Sequence, residues 1–415
     1  MKNICATNRM VIEVDIVWMG FTGDVAFLMQ DGSVKTIDII KPGDKLMSER
    51  GKAIVAKKIR KKVKETYYIY PVKGVPYTVS ADHVLMLKVS SAAHFSWNTR
   101  ENGYVLEWLE GFKRCRKIFS LSKFDTKEKA IAAAEKFIDE ILPKNKAYTN
   151  TGDVVEITVA EYVKLSDRMQ RLYKNYSMGI EFVDKNVEID AYALGYWLGD
   201  GTSRDPGITT AEPEIVEFFT NFAEEHGMVF KRAGNSKYGY YLRSGITGND
   251  AKGKNIFTNF MKKYDLVNKK HIPADYMFNS RENRLELLAG LVDSDGHYSQ
   301  GCYDFTFKSE KLADDVIFLA RTLGFNAYKV ETKKTCVNGP NGPVTGTYYR
   351  FCIHGEGLNE VPSILDRKMA SKRKQIKNAS VTGITVLYSG NEMCYELITD
   401  SDDTLFLDDF TVVHQ

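Results

Sequence analysis

Over the first ninety residues apolar positions alternate with polar ones in short runs, at 11–18, 25–29 and 34–40, cut by turns at Asp31-Gly32 and Pro42-Gly43-Asp44. A period of two, broken every few residues, predicts a compact β unit. The last forty residues have the same texture, with strands predicted at 381–387, 394–398 and 410–413. Between the two ends the period turns helical. The stretch 126–142, rich in alanine and followed by Pro143, predicts one helix. From 189 to 377 a longer pattern occurs twice.

Its first copy reads Ala193-Leu-Gly-Tyr-Trp-Leu-Gly-Asp200-Gly201, then a strand at 208–210, a helix over 213–226 closed by Gly227, and a strand at 228–232. The second reads Leu288-Ala-Gly-Leu-Val-Asp-Ser-Asp295-Gly296, then a strand at 303–307, a helix over 311–323 closed by Gly324, and a strand at 325–329. The aspartate lies 27 residues before its closing glycine in one copy and 29 in the other. Such spacing predicts a duplicated helix-strand-helix-strand unit.

Each copy opens on an apolar helix with small residues, Gly195 and Gly199 in the first, Ala289 and Gly290 in the second, and each helix ends in Asp-Gly. Small residues let helices approach closely, so the pair is expected to meet at a pseudo-twofold axis with its Asp-Gly ends together. Asp200 and Asp295, with the free carbonyls of Gly199 and Ser294, would then make the all-oxygen ligand set that Mg²⁺ prefers and Mn²⁺ accepts. The helix dipole disfavours a carboxylate at a C-terminus unless a cation offsets it, which favours a metal site over a structural aspartate. A single Asp-Gly is as often a plain turn; the repetition points to chemistry. Paired carboxylates holding divalent ions suit phosphodiester hydrolysis.

The formal charge of +3 over 415 residues says little about partners. The cations are clustered, however, at Lys57, Lys58, Arg60, Lys61, Lys62 and Lys64, at Lys113, Arg114, Arg116 and Lys117, and at Lys368, Lys372, Arg373 and Lys374. Local patches, more than net charge, grip a polyanion. A hydrophobic content of 43% excludes disorder, and the length allows two or three domains. Six cysteines without a C-x-x-C pair suggest neither a zinc knuckle nor a disulfide framework. No apolar run is long enough to span a bilayer and no signal-peptide pattern opens the chain, so an intracellular protein, cytoplasmic or nuclear, without a membrane partner is expected.

The two Asp-Gly segments resemble the paired motifs of monomeric LAGLIDADG homing endonucleases, 288–296 closely and 193–201 more loosely. The resemblance implies two pseudo-symmetric αββαββα repeats, saddle-shaped sheets in the major groove of duplex DNA, a long asymmetric target, a monomer, and Asp200 and Asp295 as metal-binding catalytic carboxylates. Lys270-His-Ile-Pro273 is similar to the Lys-x-Ile-Pro segment of endonucleases of the yeast vacuolar ATPase intein type, which implies Lys270 as a catalytic lysine. By the same resemblance Ser371-Lys372-Arg373-Lys374 supplies the second, with Lys372 preferred and Lys374 next.

Residues 20–47 resemble the opening block of an intein Hint domain, Ser80-Ala-Asp-His83 its Thr-x-x-His block, and Phe410-Thr-Val-Val-His-Gln415 its terminal Val-Val-His-Asn. The implied fold is multidomain: an all-β, discontinuous Hint horseshoe at 1–90 and 378–415, a DNA-recognition insertion at 91–182, and an α+β nuclease at 183–377 with repeats at about 189–270 and 283–377. Splicing needs a Cys or Ser at the first intein position and a terminal Asn. Gly20 and Gln415 stand there, so His83 and His414 are expected to be remnants, and Cys5 lies too far from the block to replace the nucleophile. In the insertion Lys113, Arg114, Arg116, Lys117, Arg168, Arg171 and Lys174, interleaved with Trp97, Phe112, Tyr173 and Tyr176, suit phosphate contacts, and Arg232 lies on a strand expected to face base edges. Two other functions compete with a Mg²⁺-dependent site-specific endonuclease: a self-processing intein with the nuclease as passenger, and a DNA-binding protein with a decayed nuclease.

Overall fold

The computed structural model describes residues 18–246, 253–336, 344–375, 377–401 and 403–414. The predicted strand at 11–18 lies outside them except for Trp18, and Gln415 lies outside them too.

The two ends of the chain fold together. Ala53–Pro71 pairs antiparallel with Ile384–Thr399 along a long ribbon, and the first block is sewn onto it by Phe21↔Tyr395 and Thr22↔Cys394. The full sheet runs 384–399, 21–22, 77–80, 53–71, 45–47. The sequence pattern predicts separate strands at 381–387 and 394–398. The chain instead passes from one to the other through a bulge at Gly390, whose φ of +128° only glycine adopts without strain. Val84–Val89 buries every second residue, Leu85, Leu87 and Val89, and these join Phe21, Phe27, Ile69, Val79 and Leu397 in one core.

A meander of Ala93–Asn98, Gly103–Glu110 and Lys113–Ser120 projects from this frame. Helix α1, Lys127–Lys136, covers it. Thr126 caps the helix by accepting from the Lys129 amide, and Ala130 and Ala134 are buried against Leu106 and Phe119. The helical path changes pitch after Lys136, and Pro143 falls in the closing turn Leu142–Lys144.

Among the described residues the middle of the chain builds a separate core on five helices of eight residues or more, α2 Ala191–Asp200, α3 Pro213–Glu225, α4 Ile256–Lys263, α5 Arg281–Asp295 and α6 Glu310–Thr322, with a single turn at Ala274–Met277. Asp190 and Ser280 cap α2 and α5. Gly227 and Gly324, at φ +63° and +85°, end the turns after α3 and α6. One sheet orders Gly207–Thr209, Gly239–Ser244 and Met228–Arg232; the other orders His297–Ser299, Cys302–Phe307, Val344–Ile353 and Val330–Cys336. The copies differ after their aspartates, where the first makes a lone bridge, Gly201↔Ile208, and the second a hairpin. No strand forms at 325–329. Phe325 and Ala327 are drawn into the core, and pairing starts at Val330. No helix of the described residues is long and apolar enough to cross a membrane.

Candidate active site

Helices α2 and α5 touch backbone to backbone. A methyl group on Gly195 would lie 2.1 Å from the Leu287 carbonyl oxygen, and one on Gly290 would lie 2.2 Å from that of Tyr192. Each glycine is five residues before its aspartate and each carbonyl eight before it, so the contact repeats itself across a local twofold. The approach continues to the tips, where a methyl on Gly199 would meet Ser294 Oγ at 2.0 Å and Asp295 Oδ2 at 3.3 Å. Asp200 and Asp295 therefore converge.

Their surroundings are unusual for carboxylates. Burial, and then the charge of Asp295, pushes Asp200 up to about 6; burial raises Asp295 as well. Neither accepts a hydrogen bond from a described residue, and what opposes the rise is the charge of Lys270 and Lys368. Two adjacent carboxylates whose oxygens have no protein donor fit a hard cation better than a structural role. Among the described residues no third His, Cys, Asp or Glu joins them, so further protein ligands would have to come from backbone oxygens such as those of Gly199 and Ser294.

The lysines are arranged alike. Lys270 Nζ donates to the carbonyls of Trp197, Leu198, Gly199 and Gly201 at 2.7–3.2 Å, closing the end of α2. Lys368 Nζ donates to Val292, Asp293 and Ser294 at 2.8–3.1 Å, closing the end of α5. Burial lowers both ammoniums, Lys270 to about 8. The counterpart of Lys270 is thus Lys368, and this corrects the sequence reading. Lys372 is exposed, and neither it nor Lys374 takes that place.

Sequence reasoning also passed over Asp293. It is buried, and its carboxylate accepts from Tyr192 Oη in α2 and from Ser363 Oγ and the Ile364 amide in the segment leading to Lys368. The first copy has Leu198 at that place. An acidic residue two before the motif aspartate in one copy alone was the available signal.

Residues 271–382, which contain α5, Asp295 and Lys368, match the family model described as homing endonuclease. That segment is a homing endonuclease domain. Asp200 and Lys270 precede the matched residues. The replicative DNA helicase DnaB of Mycobacterium intracellulare is 33% identical over 165 residues, which is 39% of this chain and 23% of the helicase. The homothallic switching endonuclease of Saccharomyces cerevisiae is 24% identical over 288 residues, which is 57% of this chain and 49% of the relative. The chain spans about half or less of the length of these curated relatives. Among solved structures, the homing endonuclease I-DmoI covers 40% of this chain and 81% of its own at 14% identity and a TM-score of 0.26. The gp41-1 intein covers 19% and 69% at 17% identity and a TM-score of 0.16.

Around the homing endonuclease domain the sequence-predicted phosphate contacts fall into two groups. Arg114 and Arg168 both pair with Glu107, Arg116 pairs with Glu101, and Lys117 lies 3.9 Å over the Phe137 ring, while Lys113 is exposed. Arg171 and Lys174 instead line a groove of about 700 Å³ with Lys73, Lys88, Arg373 and Lys377, and none of its described lining residues is acidic. Burial lowers Lys174 first, then the charges of Lys377 and Arg171. Arg232 is exposed and donates to Tyr240 Oη on the neighbouring strand. The interleaved aromatics do not stand free. Tyr173 and Tyr176 are buried, Phe112 packs on Tyr173, and Trp97 packs on Tyr104.

At the frame, the Gly20 amide donates to Ser80 Oγ at 3.1 Å and the Ser80 amide to the Gly20 carbonyl at 2.8 Å. His83 is buried beside Phe21, its Nδ1 without a hydrogen-bond partner among the described residues; burial and then the charge of His414 push it down to about 3. A side chain at Gly20 would strike the Trp18 indole at 2.7 Å.

Proposed function

We propose that this chain is a site-specific endonuclease that hydrolyses both strands of duplex DNA, with Mg²⁺, or Mn²⁺ in its place, held by Asp200 and Asp295 and the carbonyls of Gly199 and Ser294. The observation that carries the proposal is the pair of carboxylates, Asp200 half-buried and Asp295 more open, without a donor among the described residues, at the tips of two glycine-packed helices, each with its own lysine. A divalent cation there supplies charge stabilisation on the phosphate oxygens. Asp200 and Asp295 hold it between the two repeats. Lys270 Nζ, with a pKa near 8, stays cationic at neutral pH yet gives up a proton more readily than an ordinary lysine; burial lowers Lys368 in the same direction, and it serves the other strand. Both carboxylates come from one chain, which suits a monomer, and the unlike strands of the two repeats suit a long asymmetric target. The αββαββα repeat pattern, the Hint frame at 1–90 and 378–415, the insertion at 91–182 and the nuclease at 183–377 belong to the same proposal.

The test is cleavage of a randomised duplex pool in Mg²⁺. The parent chain is expected to select and linearise a target, while Asp200→Asn and Asp295→Asn bind it and fail to cut both strands. Parental cutting by either variant sinks the reading. A parent that binds duplex and cuts none favours a DNA-binding protein with a decayed nuclease.

A second reading, processing of the chain ends, draws on the meeting of Gly20, Ser80 and His83. Glycine has no nucleophile, and Trp18 fills the space where one would stand. Expression with flanking residues is therefore expected to give an intact mass that retains both flanks; loss of either favours processing.

A further inference from the structure

Both lysine-bearing loops are fastened from the opposite repeat. The loop of Lys270 follows the first repeat, yet the Ile272 amide donates at 3.0 Å to Asp315 Oδ2 on α6 of the second. The loop of Lys368 follows the second repeat, yet Arg367 pairs with Glu212 at the start of α3 in the first. Of the two anchors Asp315 is the stronger. It is 7% exposed, its other oxygen pairs with Lys311 one turn earlier, and no reacting group touches it. A buried carboxylate is costly unless hydrogen-bonded, and here the bond it makes across the repeats fixes a loop two residues from a lysine.

We propose that Asp315 is a positioning residue: by accepting from the Ile272 amide it holds the Lys270 loop against the end of α2, so the second repeat sets the ammonium position at the first repeat's aspartate. This rests on the nuclease reading. One strand's chemistry then depends on a contact made by the other repeat, since a shift of about 1 Å at such a group costs about 100-fold in rate.

The experiment uses the full chain in Mg²⁺ and a supercoiled plasmid carrying a duplex that the parent selects from the randomised pool. Lys270→Met identifies the strand whose cutting depends on Lys270. Asp315→Ala is expected to slow that same strand about 100-fold, so that nicked circle accumulates, with the other strand and duplex binding unchanged. Asp315→Asn keeps an acceptor oxygen and is expected to restore cutting to about threefold of parental or better. Hydrogen exchange over 269–273 should rise in Asp315→Ala and not in Asp315→Asn, with the rest of the chain unaltered, which separates loss of the tether from loss of the fold. Equal slowing of both strands, slowing of the other strand, or unchanged exchange in the loop overturns the proposal. A parent chain that cuts no duplex overturns the nuclease reading instead, and the exchange comparison still decides whether Asp315 holds the loop.

Discussion

At the scale of single residues, the two lysines should act on separate strands. Lys368→Met is expected to leave a nicked product cut in one strand, and Lys270→Met the complementary nick, while Lys372→Met cuts like the parent; end-labelled strands read the difference. If Lys372→Met nicks and Lys368→Met does not, the pairing drawn from helix ends is wrong. The sequence favours Lys372 through the resemblance of Ser371-Lys372-Arg373-Lys374, and the loop before it has no period to fix its register. The spacing holds a better hint, since Lys270 follows its aspartate by 70 residues, Lys368 by 73 and Lys372 by 77. Asp200, by contrast, is legible from its repeat. With its pKa near 6 it must lose a proton to bind a cation, so the cleavage rate should fall as pH drops through about 6, and more Mg²⁺ should move that limb to lower pH. A limb that ignores Mg²⁺ would detach Asp200 from the metal. Stability runs the other way. A carboxylate raised above its ordinary value binds protons more tightly folded than unfolded, so its unfavourable contribution is complete above about 6 and fades as pH falls towards 3.8.

At the scale of elements, the α2–α5 contact leaves no room for a methyl group. Gly290→Ala places its Cβ 2.2 Å from the Tyr192 carbonyl oxygen and 2.6 Å from the Tyr196 nitrogen, both backbone atoms that cannot swing aside. The helices must part, at a cost of about 3 kcal/mol, measured as a lowered urea midpoint; parted tips also separate Asp200 from Asp295, so cutting should fall further than stability. An unchanged midpoint would mean that the helices do not meet there. The glycines and the Asp-Gly ends are readable in the sequence because close packing selects small residues at fixed spacing. The long ribbon is less so, because the break between the strands expected at 381–387 and 394–398 is absorbed as a bulge at Gly390 once 53–71 lies alongside. Nor is the tether of the Lys270 loop readable, since Asp315 lies 43 residues beyond Ile272 and only the folded chain brings them together.

At the scale of the whole molecule, the groove lined by Lys73, Lys88, Arg171, Lys174, Arg373 and Lys377 joins the β frame and residues 171–174 to the end of the segment that matches the homing endonuclease model. Its cations face one another and not carboxylates, whereas Arg114 and Arg168 share the single carboxylate of Glu107. A duplex backbone laid in the groove would relieve that repulsion and release counterions, so the two groups of basic residues should differ in the salt dependence of binding. Replacing Arg171, Lys174 and Lys377 together by alanine is expected to make the plot of log Kd against log salt shallower by about 0.9 for each phosphate that the variant leaves unneutralised. Replacing Arg114 and Arg168 together should change the slope less, because Glu107 already balances one of their two charges. Equal effects from the two sets would show that the duplex runs over the Lys113–Ser120 hairpin and not through the groove.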